Sequence, residues 1–227
     1  MFLSNQIGTI YLAINLTLMA RLKNGINGPF KGKVGSVVGS SRNDTNYIKG
    51  LSERTAPFTT GELKNQGKFA LAQSWLKPLT TYVRAGFKDY NKTAKGFVAA
   101  KSFLMRNAIR LEGDTYVVDP SLMQVSFGNL PLADELAVEL IPGNGLKFSW
   151  NPEWLTDSNP DDQVMLLAYN TADQEAYYTI TGQFRKTGTD LLSLPTDQGN
   201  SYEVYIAFVS ADRTRQSHSA YLGKIVV

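Results

Sequence analysis

The chain has no cysteine and only one histidine among its 227 residues. Without cysteine, neither a disulfide framework nor a thiolate zinc site can form, and the absence indicates little about the compartment because many extracellular domains also lack disulfides. A single histidine, His218, excludes a multi-histidine metal site and argues against a Ser-His-Asp triad. We therefore expect a protein that is not an enzyme and that uses no metal or cofactor.

Two ligand-binding motifs begin in the sequence and are not completed. A Walker loop needs a glycine five residues before its Gly-Lys pair, and Asn27 stands at that position before residues 32–33. Residues 157–162 begin like a calcium loop, but Asp162 and Ala168 stand where the loop needs Gly and Glu. Nucleotide binding and calcium binding are both disfavoured.

The first 20 residues are apolar and carry no charge. A secretory signal needs a positive segment before its apolar part, and the first positive residue is Arg21. The longest apolar run is also too short to span a membrane, so no membrane span is expected. Three interpretations stay open: an upstream start read in frame with Met19 as the real beginning, an atypical export signal, or an amphipathic element.

Charge is divided unevenly along the chain, although the net charge is only +3. Residues 1–110 contain 17 Lys or Arg against 4 Asp or Glu, and residues 111–227 contain 6 against 16. The two parts therefore carry electrostatic fields of opposite sign.

Residues 21–110 predict a basic α+β region with a hairpin and two helices. Glycines at short intervals over 25–39 favour a bent hairpin, whose return strand is predicted at 46–49 after a turn at 43–44. Thr59 and Glu62 match a capping box, and the helix that begins there should end at Pro78. Its predicted buried stripe consists of Leu63, Gly67, Ala70, Leu71, Ser74 and Trp75. A second helix is predicted at about 94–108, after a loop over 82–93.

Basic and aromatic residues alternate in this region, a pattern that suits nucleic acid because phosphates take the charge and bases stack on rings. A solvated or protein-facing basic surface explains the same pattern and is favoured, because no nucleic-acid motif is present. The candidate interaction residues for either interpretation are Arg21, Lys23, Lys31, Lys33, Arg42, Tyr47 and Lys49.

Residues 131–227 predict an antiparallel β-sandwich of about seven strands, joined to the basic region by connecting strands at 111–130, including a short pair at 115–118 and 123–127. In the strand at 145–150, Leu146, Phe148 and Trp150 share one face. Alternation over 202–209 predicts a strand with one face on a core. The Leu-Pro corner at 194–195 and the following Tyr202 resemble the tyrosine corner of fibronectin-type-III and immunoglobulin-like domains.

The run MARLKNGINGPFKGKVGSVVGS at 19–40 resembles the start of a bacterial protein family classed as a domain of unknown function. Further similarity lies at 47–50, 69–70, 86–87 and 205–212, and extends over 19–227. Family members begin at the equivalent of Met19, which favours the upstream-start interpretation. The chain departs at 41–44, where relatives carry a Trp and a basic residue. The resemblance implies no activity.

We therefore expect a non-enzymatic structural or adaptor protein in a phage-like, surface or secretion assembly. Opposite fields on one chain favour head-to-tail self-association over a symmetric contact between like charges, although docking of the two parts within one chain explains the charges equally well. A nucleic-acid-associated protein is the alternative. A carbohydrate-binding sandwich that uses Trp154, Tyr177 and Tyr178 is a third, weaker hypothesis.

Overall fold

The computed structural model describes residues 21–22, 28–42, 45–51, 54–88, 90, 93–143, 145–153, 155–195 and 199–227. The chain separates into two compact units, Met1–Phe58 and Thr59–Val227. The described elements are three α-helices and several antiparallel sheets, so the α+β class is confirmed. The helices group with the strands of the second unit, whereas the sequence grouped them with the glycine-rich strands over 21–110.

The first unit contains a four-stranded antiparallel sheet in the order β1-β2-β3-β4, larger than the predicted hairpin. Its strands are β1 (Arg21–Leu22), β2 (Phe30–Val34), β3 (Val37–Arg42) and β4 (Thr45–Gly50). Position 39 requires glycine, because a Cβ there would lie 2.2 Å from the Phe30 carbonyl oxygen and within 3 Å of the Phe30 ring. The predicted turn at 43–44 lies outside the described residues.

The helices of the second unit are α1 (Thr60–Leu76), α2 (Thr80–Gly86) and α3 (Gly96–Asn107). The capping box is confirmed: the Thr59 side chain accepts from the Glu62 amide, and the Glu62 carboxylate accepts from the Thr59 amide at 2.8 Å. The predicted loop over 82–93 is wrong at its start, because α2 buries Tyr82 and Val83 there.

The buried stripe predicted for α1 is also largely wrong. Only Ala72, Trp75 and Leu76 are buried, all near the carboxyl end of the helix, whereas Leu63 is 53% exposed. The first half of α1 has apolar side chains at helical spacing but leaves Leu63 and Phe69 half exposed, so periodicity alone overestimated the length of the buried face.

The described residues of the second unit also form nine strands. They are β5 (Ile109–Glu112), β6 (Thr115–Val118), β7 (Ala137–Ile141), β8 (Gly145–Ser149), β9 (Gln163–Asn170), β10 (Glu175–Thr179), β11 (Thr189–Ser193), β12 (Ser201–Val209) and β13 (Ala220–Val226). They form a four-stranded sheet β10-β9-β12-β13, a three-stranded sheet β11-β8-β7 and the hairpin β5-β6. The predicted pair at 115–118 and 123–127 is wrong, because β6 pairs with β5 and residues 123–127 form no strand.

Both faces of the four-stranded sheet are covered. On one face, Met165, Leu167, Tyr205 and Ala207 share an apolar cluster with the three helices. On the other face, Leu166, Val204, Ile206 and Phe208 share a second cluster with Leu146 and Phe148 of β8, in the three-stranded sheet, and with Trp150 directly after β8. The prediction that the strand over 202–209 buries one face is therefore wrong, because the helices cover the face that it left in solvent.

Polar tips of aromatic side chains connect the helices to this sheet. The Tyr169 hydroxyl donates to the Trp75 carbonyl at 3.0 Å, and the two rings lie edge to face with centroids 5.0 Å apart. The Tyr82 hydroxyl donates to the Met165 carbonyl at 3.2 Å. Burial raises the pKa of Tyr169 to about 12, because the phenolate loses its hydration there.

Candidate binding surface

The strand register of the first unit brings the described candidate residues onto one face of the sheet. Lys33 lies opposite Val38, which lies opposite Lys49; Tyr47 lies opposite Ser40. Because residues two apart in a strand share a face, Lys31 joins Lys33, and Arg42 joins Val38 and Ser40. We call this the cationic face; its side chains are those of Lys31, Lys33, Val38, Ser40, Arg42, Thr45, Tyr47 and Lys49.

The remaining two candidates are described in part or not at all. Arg21 pairs with Lys31 in the register of β1 and β2. Lys23 lies outside the described residues. Charge and composition proposed the seven positions, and the register shows that Lys31, Lys33, Arg42, Tyr47 and Lys49 share a face.

All four cations of the face with described side chains are exposed, and the two acids of the first unit, Asp44 and Glu53, lie outside the described residues. Lys33 and Lys49 are two strands apart, about 10 Å across the sheet, and Lys31 is about 7 Å along the strand from Lys33. These separations are close to the Debye length of about 8 Å at physiological ionic strength, so the positive potentials add. The arrangement can bind an extended anionic surface.

The opposite side of the same sheet is apolar. Gly39 lies opposite Ile48, and Val34 lies opposite Val37. We call this the apolar face; its members are Leu22, Phe30, Gly32, Val34, Val37, Gly39, Ser41, Asn46, Ile48 and Gly50. Ile48 is 65% exposed and Leu22 54% exposed. One side of the sheet therefore carries charge and the other carries exposed hydrocarbon.

A second basic region lies in the second unit, between α1 and α3. Phe69 and Val98 are half or more exposed there. The Lys101 ammonium lies 3.8 Å from the Phe69 ring centroid and donates to the Gln73 amide oxygen at 2.9 Å. The Lys68 ammonium lies 4.6 Å from the Tyr116 ring centroid. These cations already have partners, so this region is a weaker candidate than the cationic face.

The one histidine lies beside an aromatic ring and a polar turn. His218 is exposed and lies edge to face on Phe127, with centroids 4.4 Å apart. In the turn before it, hydrogen bonds from the Ser210 hydroxyl, and then from Thr214, lower the pKa of Asp212 to about 2. These bonds fix the shape of the turn. In the described part of the chain, no group of three or more His, Cys, Asp or Glu could hold a metal ion.

The carboxylate that the calcium motif would use is engaged elsewhere. Asp162 is buried, accepts from the Asn159 amide at 2.8 Å, and lies 3.5 Å from Nε of the fully buried Arg185. Arg185 also donates to the Pro131 carbonyl at 2.7 Å and lies over the Phe208 ring. Burial lowers the pKa of Arg185, and the Asp162 charge opposes that shift. The pair fixes the loop before β9 from inside the protein.

Aromatic rings near the helices and in the sheets of the second unit are mostly buried or packed against the core. Phe87 is fully buried, and Tyr90 packs edge to face on Phe127. Tyr177 packs against the cluster between the two sheets and Tyr178 against the cluster under the helices, so the two rings do not form one platform. Trp154 lies outside the described residues. Tyr47, which is 43% exposed, remains as an accessible ring beside lysine and arginine.

The model of a family of unknown function (DUF6266) matches residues 29–223. The chain belongs to DUF6266. The match takes in β2, β3 and β4, so the cationic face from Lys31 to Lys49 lies within the part that defines the family. No curated protein and no solved structure matches the chain. No helix in the described residues of this DUF6266 protein is long and apolar enough to cross a membrane.

Proposed function

We propose that the protein acts by binding another macromolecule through its cationic face, as a structural or adaptor protein rather than as an enzyme. The observation that carries the proposal is the register, which collects Lys31, Lys33, Arg42 and Lys49 on one side of the sheet. Residues 21–58 contain 7 Lys or Arg against 2 Asp or Glu, so four exposed cations on one face favour an acidic partner.

We propose that the acidic partner is the second unit of another copy. Residues 119–227 contain 14 Asp or Glu against 6 Lys or Arg. Six exposed carboxylates of this part make no ion pair with a described cation: Asp134, Glu135, Glu139, Glu153, Asp173 and Glu175. A contact between different surfaces of two copies repeats head to tail, which suits a phage-like, surface or secretion assembly.

Light scattering of the full chain across a salt series tests this proposal. The average mass should exceed the 25.1 kDa monomer at low salt and fall as salt rises. Lys31→Glu with Lys33→Glu should lower the low-salt mass, whereas the charge-matched control Lys64→Glu with Lys77→Glu, at exposed positions of the α1 region, should not. Equal effects of the two double variants would refute a role for the cationic face.

A mixing experiment tests whether the contact is head to tail. In head-to-tail association, the Lys31→Glu/Lys33→Glu chain keeps its acidic surface, so it can end a growing assembly without extending it. A minor fraction mixed with the wild-type chain should therefore lower the average mass of the mixture more than dilution does. A mass that falls only in proportion to the wild-type fraction would contradict a head-to-tail contact.

A nucleic acid is the second candidate partner, favoured by the exposed Tyr47 ring on the cationic face. Bases can stack on such a ring while lysine and arginine bind phosphates. Four phosphate contacts would reduce the affinity for single-stranded DNA or RNA by roughly 50-fold between 50 and 200 mM salt. Binding of that salt dependence, lost in Tyr47→Ala and in Lys31→Glu/Lys33→Glu, would favour nucleic acid over self-association.

We further propose that β7–β13 form a fibronectin-type-III-like sandwich that presents the acidic surface. The order of three strands, β11-β8-β7, facing four, β10-β9-β12-β13, supports this, as does the cluster that the two sheets share. The buried Trp150, whose ring lies edge to face on Phe208 across that cluster, supports it too. An experimental structure in which the two sheets do not face each other would refute the assignment.

A further inference from the structure

A hollow of about 510 Å³ lies within the second unit, between residues 127–129 and residues 214–218. Its volume is in the range of small-molecule binding sites. None of the side chains that line it is a carboxylate; they are those of Phe127, Asn129, Thr214, Arg215, Gln216 and His218. The proposed function does not use this hollow.

Hydrogen bonds within the protein hold the walls of this hollow in place. The Leu130 amide donates to the Gln216 carbonyl at 3.0 Å, and the Gln216 side-chain amide donates to the Phe127 carbonyl at 3.0 Å. Gly128 fits against the same backbone because it has no Cβ, which would collide with the Gln216 carbonyl. The hollow is therefore preformed, so a ligand that binds there loses little affinity to the ordering of the protein.

Arg215 places a cation at a fixed position in the hollow. Its Nε donates to Oδ1 of Asn129 at 3.1 Å, its Nη2 to the Asn129 carbonyl at 3.1 Å, and its Nη1 to the Asp157 carbonyl at 3.4 Å. A guanidinium has five N–H donors, so one N–H on each terminal nitrogen remains for a ligand. Two N–H groups of one guanidinium can bind both oxygens of a carboxylate.

The other polar side chains of the hollow offer neutral donors and an acceptor. Oδ1 of Asn129 and Nε2 of Gln216 are engaged as described, which leaves the Asn129 amide nitrogen as a donor and the Gln216 amide oxygen as an acceptor. His218 is exposed, and no hydrogen bond from a described residue engages its ring nitrogens. Hydroxyl groups both donate and accept, so a ligand with hydroxyls suits these three side chains.

We propose that the hollow binds a small carboxylate that carries neighbouring hydroxyl groups, the chemistry of a uronic acid or of an open-chain hydroxy acid. Arg215 binds the carboxylate, and Asn129, Gln216 and His218 bind the hydroxyls. The acid paired with Arg215 is Asp157, whose Oδ2 lies 3.8 Å from Nη2 and whose side chain is 78% exposed. Water screens such a pair, so the carboxylate of a ligand can take its place.

NMR of the full chain tests the proposal directly, because His218 is the only histidine and its ring gives a single Cε1–H resonance. At fixed pH, glucuronate should shift this resonance with a dissociation constant of about 1 mM, as expected for a ligand of its size. Glucose, which lacks the carboxylate, and acetate, which lacks the hydroxyls, should bind roughly ten-fold more weakly or worse. Glucose or acetate that binds as tightly as glucuronate, or no shift with glucuronate, would overturn the proposal.

Gluconate distinguishes the two sources of this chemistry. It carries the same carboxylate and hydroxyl groups on an open chain, whereas glucuronate is a ring. Tighter binding of glucuronate would assign the hollow to a uronic acid, and tighter binding of gluconate would assign it to an open-chain hydroxy acid.

Two pairs of variants test the role of Arg215. Arg215→Met should weaken glucuronate binding roughly ten-fold or more, whereas Lys186→Met, which removes an exposed cation outside the hollow, should not change it. Asp157→Asn should tighten binding about two-fold to five-fold, because it removes the competing carboxylate. Asparagine also tolerates the φ of 74° at this position. Asp161→Asn removes the same charge outside the hollow and should have no effect.

Thermal melts show whether Arg215→Met is folded. A folded Arg215→Met chain that binds glucuronate as tightly as the wild type would overturn the proposal. If that variant does not fold, Asp157→Asn decides: unchanged or weaker binding, or a gain that Asp161→Asn shares, would overturn it.

Discussion

The buried pair Arg185 and Asp162 gives a sharp prediction about the second unit. Both side chains are at most 2% exposed, and Nη1 of Arg185 has no hydrogen-bond partner among the described residues. Arg185→Met removes the cation and leaves the Asp162 carboxylate buried without it, which should lower the free energy of unfolding by about 3–5 kcal/mol. Asp162→Asn leaves the guanidinium buried without its anion and should cost a similar amount.

The double variant Arg185→Met/Asp162→Asn should be more stable than either single variant. It removes both charges together, so neither is left uncompensated. The remaining loss is the hydrogen bond to the Pro131 carbonyl and the contact with the Phe208 ring, about 1–3 kcal/mol in all. Met fills much of the volume of the arginine stem.

Urea unfolding followed by tryptophan fluorescence measures these differences, since the Trp150 indole donates to the Arg185 carbonyl at 2.8 Å. The three variants and the wild type form a double-mutant cycle whose coupling energy should be at least 2 kcal/mol. A double variant that loses the sum of the two single losses would show that the two charges do not compensate each other, and would refute this reasoning.

Two further predictions concern packing and pH. Gly128→Ala should lower the free energy of unfolding by about 1–3 kcal/mol, because the new Cβ would lie 2.0 Å from the Gln216 carbonyl oxygen. Gly67→Ala in α1 should raise it by about 0.5–1 kcal/mol, because a Cβ there meets no atom within 4 Å and alanine favours the helix. Denaturant titrations measure both differences. Stability should fall between about pH 10 and pH 12, because unfolded tyrosine loses its proton near 10 and Tyr169 keeps its proton to about 12. Tyr169→Phe should reduce that fall in thermal melts, and an unchanged pH profile would exclude Tyr169 as a cause.

Local signals predicted several elements of the second unit well. Thr59 and Glu62 identified the start of α1, because a capping box depends only on residues three apart. The alternation of Leu146, Phe148 and Trp150 predicted the buried face of β8, because residues of the four-stranded sheet cover that face.

What the sequence missed depends on contacts between distant residues. Alternation over 202–209 placed only one face of the strand on a core, yet the helices also cover Tyr205 and Ala207 on the other face. A nearly continuous apolar run is itself typical of a strand buried on both sides. The helix α2 was missed because it has only seven residues and follows Pro78 closely. The residues of the cationic face were proposed from the sequence as a set but not as a face, since a shift of one residue in register would have moved Tyr47 to the other side.

Light scattering at low salt of the Lys31→Glu/Lys33→Glu chain beside the Lys64→Glu/Lys77→Glu chain tests the central claim most directly. Only the first pair of substitutions should reduce the average mass, toward that of the monomer, and added salt should do the same to the wild type. A wild-type mass that does not change from 50 mM to 0.5 M NaCl, with both double variants equal to it, would contradict association through the cationic face.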